Sequence, residues 1–538
     1  MTTTHISQAP VAARHARPDA RAVALVAAVA GGVTLLIRLA LHGRSFDLFG
    51  DEIVYTDLGR SVISGGFPRY DGPGGTTGPF FIHGPGFFYL EAGWARLVGN
   101  PPGVMAWVYQ MRTLNALLAG ATAVVLALLA TRASSPRAGA VAGLVFALDP
   151  FCIRQNDRVL LETAMMFWVM LGYLVFTSLI GRLPSRRDWL CAVGAGLLFG
   201  CAVLTKDEGA LLTVLPLLAA IVFRWGPRRG LILLTVGTTV AVYTVYVTVV
   251  AANGYFGALW QAKTSGIWRM LGLIQSTGFH SSGGGNLPAR LIGEASSFGT
   301  TYVVLALAVP TLAVLLRRGG QLPRMLGLLY GAAGVTLGYA LVLGTLEEQE
   351  LYLLAVPSLL IIPVGAALLL DGSGRFSRSA SGSRRRLSHT AAIIAALTFA
   401  LSLNFAICVQ WLRQPDDAVV QLLQYMAAHV PAATTVTDPT AAPIAADVTQ
   451  YALPPLYNVD PWLTPATRSQ DHVRYVIVEW GLINDGYSKI SSSEIWHLVR
   501  HSRKVFSASG RSYGQVALYK LSLPSETVRA RPARRISW

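Results

Sequence analysis

Residues 21–52 read RAVALVAAVAGGVTLLIRLALHGRSFDLFGDE, and the fold turns on how they are taken. The run Ala22 to Leu41 carries a single charge, Arg38. About 20 apolar residues in helix cross the roughly 30 Å hydrocarbon core of a bilayer. A cleavable signal has a shorter apolar core, about 7–15 residues, and a small-residue cleavage site. The run is therefore expected to be an uncleaved first span, behind a disordered cytoplasmic N-terminus at 1–21 with Arg14, Arg17 and Arg21. Soon after it come two adjacent acids, Asp51 and Glu52.

Working outward, similar runs recur near 104–131, 138–153, 159–181, 189–205, 209–223, 230–252, 299–316, 325–346, 352–370 and 390–411, eleven spans with the first. The connections alternate in charge. One set holds Arg132 and Arg137, then Arg182, Arg186 and Arg187, then Arg224, Arg228 and Arg229, then Arg317, Arg318 and Arg324, then Arg384, Arg385 and Arg386. The other set holds Asp51 and Glu52, then Asp157, then Asp207 and Glu208, then Glu347, Glu348 and Glu350. Arginine-rich short loops stay in the cytoplasm, so the acidic set is expected outside, in a plasma (inner) membrane.

Composition agrees. Of 538 residues, 53% are hydrophobic and 13% charged, against about 25% charged in a soluble domain. Mean hydropathy is +0.47. The net charge of +16 reports topology rather than nucleic acid, because the arginines lie in clusters between apolar runs instead of along one face. The four cysteines lie in or beside apolar runs, so no disulfide framework is expected in the outer part.

Two outer connections are long. The first, 42–103, is rich in Pro, Gly and aromatics. The second, 252–298, reads as an interfacial helix (Tyr255 to Ile274) followed by a flap, Ser281-Ser282-Gly283-Gly284-Gly285. Beyond 411 the composition turns polar and mixed. A helix at Asp416 to His429, strands at Arg474 to Glu479 and Gln515 to Leu521, and a helix from Ser491 with Glu494 as its capping-box partner make a small extracytoplasmic α/β domain, 412–523. A basic tail, 524–538, follows it.

Candidate chemistry gathers on the outer face. Asp51 suits a general base, with Glu52 beside it, or the two are solvated surface acids. His83, in Ile82-His83-Gly84-Pro85-Gly86-Phe87-Phe88, either bonds a phosphate or is an exposed loop histidine. Lys206, in Leu204-Thr205-Lys206-Asp207-Glu208-Gly209, is a point charge for a phosphate or is neutralised by Asp207 or Glu208 at a hairpin tip. Arg158 faces the cavity and binds a phosphate or diphosphate, or pairs with Glu162 at i,i+4; Lys206, Arg158 and His83 are the candidates for the donor phosphate. Arg38 and Arg112 are further outer-face cations able to snorkel. Tyr55, Tyr89, Asp157, Glu162 and Tyr352 complete the cavity candidates.

This order, a first span, then Asp-Glu, then a His-Gly-Pro-Gly-aromatic segment before the second span, resembles the GT-C membrane glycosyltransferases. It looks most like glycosyltransferase family 39, the protein O-mannosyltransferases and aminoarabinose lipid A transferases. Leu204-Thr205-Lys206 resembles the family's hairpin motif, Asp157-Arg158 with Glu162 its buried acid, and Leu351-Tyr352 with Pro357 its late motif. Two positions depart: Gly84 stands for a motif proline and Leu351 for an arginine. The resemblance implies transfer of a monosaccharide from a polyprenyl-phosphate donor to a protein, lipid or cell-wall glycan, usually with inversion. It also implies a divalent metal in some members. In it Asp51 and Glu52 are the catalytic signature. The rival readings are a transporter or flippase, which shows repeated halves and interrupted helices, and a membrane-anchored binding module. No internal repeat is visible here.

Overall fold

The computed structural model describes residues 19–70, 78–101, 103–181, 185–274, 287–342, 347–372, 380–431, 434–439, 458–460, 473–484, 487–488 and 491–521. The expected flap at 281–285, the N-terminal 1–18 and the basic tail lie outside them. The apolar stretches of sequence become helices α1 (Ala20–Ala40), α4 (Val104–Ala133), α5 (Pro136–Leu148), α6 (Pro150–Asn156), α7 (Leu161–Thr177), α8 (Arg186–Thr205), α9 (Gly209–Phe223), α10 (Arg229–Ala252), α12 (Leu287–Arg318), α13 (Gln321–Val342), α14 (Tyr352–Gly372) and α15 (Ala380–Arg413). Among the described residues eight spans are long and apolar enough to cross a membrane, and α7 and α9 are shorter apolar helices. The chain is a multi-pass membrane protein.

The expected continuous span 138–153 is broken. Asp149-Pro150 bends α5 against α6 by 63°. Pro150 has no N–H to continue the ladder, and the residue before a proline avoids helical ψ. Asp149 sits at ψ 120° and its carboxylate accepts from Cys152 N at 2.9 Å, starting α6 afresh. Elsewhere the helices close on small residues. A Cβ on Gly143 of α5 would lie 2.4 Å from that of Ala30 on α1, so these two backbones meet without side chains between them.

The charge alternation has a spatial counterpart. At one end Arg132 Nη1 donates to Leu174 O at 2.7 Å, and the Arg324 guanidinium lies 5.5 Å from the Trp225 ring. The acid-bearing connections meet at the other end. There the first long connection is helical rather than an open loop: α2 (Gly50–Ser61) and α3 (Gly86–Val98) pack on each other. In the second, α11 (Phe256–Met270) buries Leu259 and leaves Phe256, Trp260, Ile267 and Trp268 exposed, the aromatic face expected of an interfacial helix.

The C-terminal part is a five-stranded mixed sheet in the order β2-β1-β3-β5-β4, where β1 is Thr435–Thr437, β2 Asn458–Asp460, β3 Tyr475–Glu479, β4 Arg503–Gly510 and β5 Gly514–Lys520. β1 runs parallel to β2 and β3, whereas β5 is antiparallel to β3 and β4. A short helix α17 (Trp480–Asn484) follows β3. On one sheet face lies α18 (Ser492–Arg500), opened by the expected Ser491–Glu494 capping box, with Ile495 and Val499 against Val476 and Val478. On the other lies α16 (Ala418–His429), whose Val419, Leu422 and Met426 share one core with Phe46, Leu48 and Ile53. The sheet is thus fastened to the segment that carries Asp51. Tyr513 OH donates to Leu48 O at 2.7 Å, and Asp47 accepts from Val419 N at 2.7 Å.

Candidate active site

Asp51 and Glu52 occupy the first turn of α2. Neighbours on a helix point about 100° apart, so the two carboxylates enter different surroundings. Glu52 is fully buried and saturated. Its Oε1 accepts from Arg112 Nε at 2.8 Å and Val159 N at 2.8 Å; its Oε2 accepts from Arg112 Nη2 at 2.7 Å and Phe49 N at 3.0 Å. A carboxylate has about four lone-pair sites, and all are taken. Arg112 spends its remaining donors on Phe46 O and Asp47 O. Glu52 ties α2, α4 and the α6–α7 turn together. Asp157 braces likewise, accepting from Gly43 N, Ser45 N and Ser45 Oγ.

Arg38 and Arg112 do not snorkel. Both are buried, and Arg38 donates to Asn156 Oδ1, Ala147 O and Phe146 O across the broken span. Tyr352, fully buried, accepts from Asn156 Nδ2 at 2.9 Å and sits in the helix core.

Asp51 is half-buried and shows no hydrogen bond among the described residues. Withdrawal from water, then repulsion from Glu347, pushes its pKa up to about 7, with Arg269 and Arg158 opposing. Around it stand Tyr55, His83, Glu162, Lys206, Glu347 and Arg269, contributed by six different segments. Tyr55 OH lies 3.3 Å from His83 Nε2, and loss of water together with the nearby Lys206 holds His83 well below the usual imidazole range. His83 is therefore neutral at pH 7. Tyr89 donates to Gly66 O at 2.8 Å on the outer side of α3.

The glycine in place of the motif's proline has a steric reason. A Cβ on Gly84 would stand 2.2 Å from Leu204 O, so the His83 segment lies directly on the C-terminal end of α8 and beside Lys206. Lys206 is neutralised, chiefly by a residue from another helix: Glu162 Oε1 is 2.6 Å away and Glu208 3.6 Å. Asp207 pairs instead with Lys263 of α11 at 2.5 Å and accepts from Tyr243 OH at 2.9 Å. Arg269, also on α11, pairs with Glu347.

The alternative for Arg158, an ion pair with Glu162, does not form. A turn separates α6 from α7, so the two are not on one helix. Arg158 joins Arg154, which sequence reasoning passed over as a ligand candidate, against Glu348 at 3.5 and 3.4 Å. The structure therefore brings Asp51, Tyr55, His83, Lys206, Arg158 and Glu162 to one end of the bundle and assigns Glu52 and Asp157 to its framework. Among the described residues no group of three or more His, Cys, Asp or Glu side chains is arranged to hold a metal ion, so no step is derived through one. Lys263, Arg269, Glu347 and Arg154 reach the site through tertiary folding; the acidity of the connection signalled it for Glu347 and Arg154, and nothing did for Lys263 and Arg269.

Residues 102–261 match the model of the dolichyl-phosphate-mannose-protein mannosyltransferase family. That segment holds Arg112, Asp157, Arg158, Glu162 and Lys206 but not Asp51. No curated protein matches the chain. Among solved structures, the archaeal oligosaccharyltransferase AglB from Archaeoglobus fulgidus, in complex with an inhibitory peptide and a dolichol-phosphate, superposes with a TM-score of 0.57 at 11% identity. The match covers 94% of this chain and 75% of that one. ArnT from Cupriavidus metallidurans, bound to undecaprenyl phosphate, gives 0.54 at 15% identity, over 95% of this chain and 99% of that one.

Proposed function

We propose, from a chain built on the GT-C fold that these solved transferases share, that it moves a monosaccharide from a polyprenyl-phosphate donor to an extracytoplasmic acceptor. The observation that carries this reading is Asp51: a carboxylate without an internal hydrogen-bond partner, poised near neutrality, beside a neighbour whose carboxylate is fully used. A group with pKa near the working pH is the effective general base. Asp51 takes the proton of the acceptor hydroxyl as that oxygen attacks the anomeric carbon. The sugar–phosphate bond breaks on the opposite face, which inverts the centre, and the phosphate leaves with the lipid.

Lys206, Arg269 and neutral His83 with Tyr55 supply the donors that receive the leaving phosphate. Lys206 exchanges its contact with Glu162 for the phosphate, so that ion pair is the resting state of the site. The arginine-bearing ends are cytoplasmic, the N-terminus with them, and the site and the C-terminal sheet lie outside. A periplasm-active reporter fused after Leu521 is expected to be active; activity of a cytoplasmic reporter there overturns the sidedness.

The activity test uses the purified full chain in detergent with a radiolabelled polyprenyl-phosphate sugar and a cell-envelope fraction as acceptor source. Sugar should move to an acceptor that no longer extracts with the lipid. General-base assistance is worth about 10²–10⁴-fold, so Asp51→Asn should lower turnover by that factor and keep donor affinity. A protein that carries the donor across vesicles without cleaving it is a flippase, and that result ends the transferase reading.

A further inference from the structure

Arg154 leaves α6, and Arg158 follows one residue after its C-cap. Their guanidinium carbons lie 4.4 and 4.1 Å from the centre of the same ring, Phe46. Phe298 and Phe49 flank them at 5.3 and 5.6 Å. The two residues are 3% and 1% exposed, yet Arg154 Nε, Arg158 Nε and Arg158 Nη2 make no hydrogen bond among the described residues. One carboxylate oxygen, Glu348 Oε1, is shared between them at 3.4 and 3.5 Å, with Gln155 Nε2 at 3.5 Å from the same atom. Two buried cations and one partly exposed acid leave positive charge uncompensated, which is costly unless something else pairs it. Planar guanidinium forks match the oxygens of a phosphate or carboxylate two at a time.

We propose that Arg154 and Arg158, stacked on Phe46, form a second anion seat that takes a phosphate or carboxylate group of the acceptor, and that Glu348 holds the seat until the acceptor displaces it. The acceptor assignment rests on the transferase reading above. Its argument is position. A general base stands between its acceptor and its donor, and the cations that act on Asp51 are Arg269 and Arg158. His83, Lys206, Lys263 and Arg269 cluster together. Arg154 and Arg158 instead neighbour Arg511 and Tyr513 of the β4–β5 turn, and Phe46 meets Tyr513 edge-on at 6.2 Å. The seat thus borders the β4–β5 turn of the C-terminal sheet, whereas the cations assigned to the donor gather around His83. Glu348 has 31% of its side chain exposed, so a ligand reaches it by pushing one carboxylate aside.

The test titrates methyl phosphate onto the full chain in detergent, read by ³¹P NMR line broadening, with undecaprenyl phosphate binding read by native mass spectrometry. Losing a charge-assisted contact should weaken methyl phosphate by about ten- to a hundredfold in Arg154→Gln and in Arg158→Gln. Glu348→Gln removes the internal competitor and should tighten it roughly tenfold, a gain that a misfolded variant cannot give. Undecaprenyl phosphate should bind Arg154→Gln as it binds wild type and should leave methyl phosphate in place. Unchanged methyl phosphate affinity in all three variants removes the seat. Displacement of methyl phosphate by undecaprenyl phosphate assigns the seat to the donor and overturns the acceptor. Neither measurement needs sugar transfer, so failure of the transfer assay and failure of this proposal are separate results.

Discussion

Two layers of charge meet at the acid-bearing end of the helix bundle, and they differ in saturation. In the framework layer Glu52 accepts four hydrogen bonds, Asp157 three, and Arg112 donates into both the acid and the backbone. In the cavity layer, among the described residues, Asp51 has no hydrogen bond, Glu162 leaves Oε2 without one, and Arg154 and Arg158 keep N–H groups that make none. Burial alone does not separate the two, since Glu52, Glu162 and Arg158 are all under 3% exposed. A saturated ion pair holds helices in place. An unsaturated one has capacity left for a substrate. The sharpest contrast is between Asp51 and Glu52, adjacent in sequence.

Breaking the framework should produce the largest effect on the fold. Glu52→Ala leaves the Arg112 guanidinium buried with its main counter-charge gone. Removing one partner of a buried pair costs about 3–5 kcal/mol, most of it the stranded charge. The expected result is a large drop in melting temperature or loss of folded protein from the membrane. Asp51→Asn, by contrast, removes a charge that the cavity disfavours, so its melting temperature should equal or exceed that of wild type. Thermal unfolding of both variants in one detergent checks the contrast. Equal destabilisation would mean that Asp51 also belongs to the framework.

A smaller effect is expected where the two layers touch. Gly84→Ala puts a methyl into space held by the Leu204 carbonyl. Overpacking of this kind costs about 1–3 kcal/mol. Because the atom pushed is backbone just before Lys206, the variant should lose donor affinity as well as stability. Normal donor binding with a lowered melting temperature would detach the His83 segment from the donor site.

Much of the fold was legible because the bilayer imposes length and charge rules on each span separately. The apolar runs and the arginine clusters needed only local counting. The break at Asp149-Pro150 was also local, yet it was hidden by the apolar residues on either side. Strands β1 and β2 are three residues each, too short for a period-two signal, and β4 (RKVFSASG) has no buried residue to mark an inner face. The site was legible as a set of residue types on one face but not as pairs. Glu162 with Lys206 and Glu348 with Arg158 join segments far apart in sequence, and the i,i+4 rule that suggested Arg158–Glu162 assumed one helix, whereas Arg158 stands in the turn before α7. Nothing in the dipeptide Asp51-Glu52 told which acid would be saturated; that depends on Arg112 and Val159 arriving from elsewhere.

The finest test of the contrast is the acidity of Asp51. Its carboxyl is held near pH 7 first by loss of water and then by Glu347, with Arg269 pulling the other way. The general base works ionised, so kcat/KM should rise with pH through a limb near 7 and level off above it. The neighbours then move the limb in opposite directions. Glu347→Gln removes a repelling charge and frees Arg269 from its ion pair, and both changes favour the Asp51 carboxylate. The limb should shift to lower pH. Arg269→Gln removes the attraction and leaves Glu347 without that cation, so the limb should shift to higher pH. One pH unit corresponds to about 1.4 kcal/mol, and a shift of this order is a tenfold change on the limb; the plateau should hold in Glu347→Gln and fall in Arg269→Gln, which also loses a contact to the donor phosphate. A framework role for either neighbour would lower the plateau and leave the limb where it was. The pH profiles of wild type and the two variants, taken at matched folding yield, therefore distinguish a tuned base from a packed one. A limb near pH 4 in wild type would place Asp51 with the ordinary solvated acids.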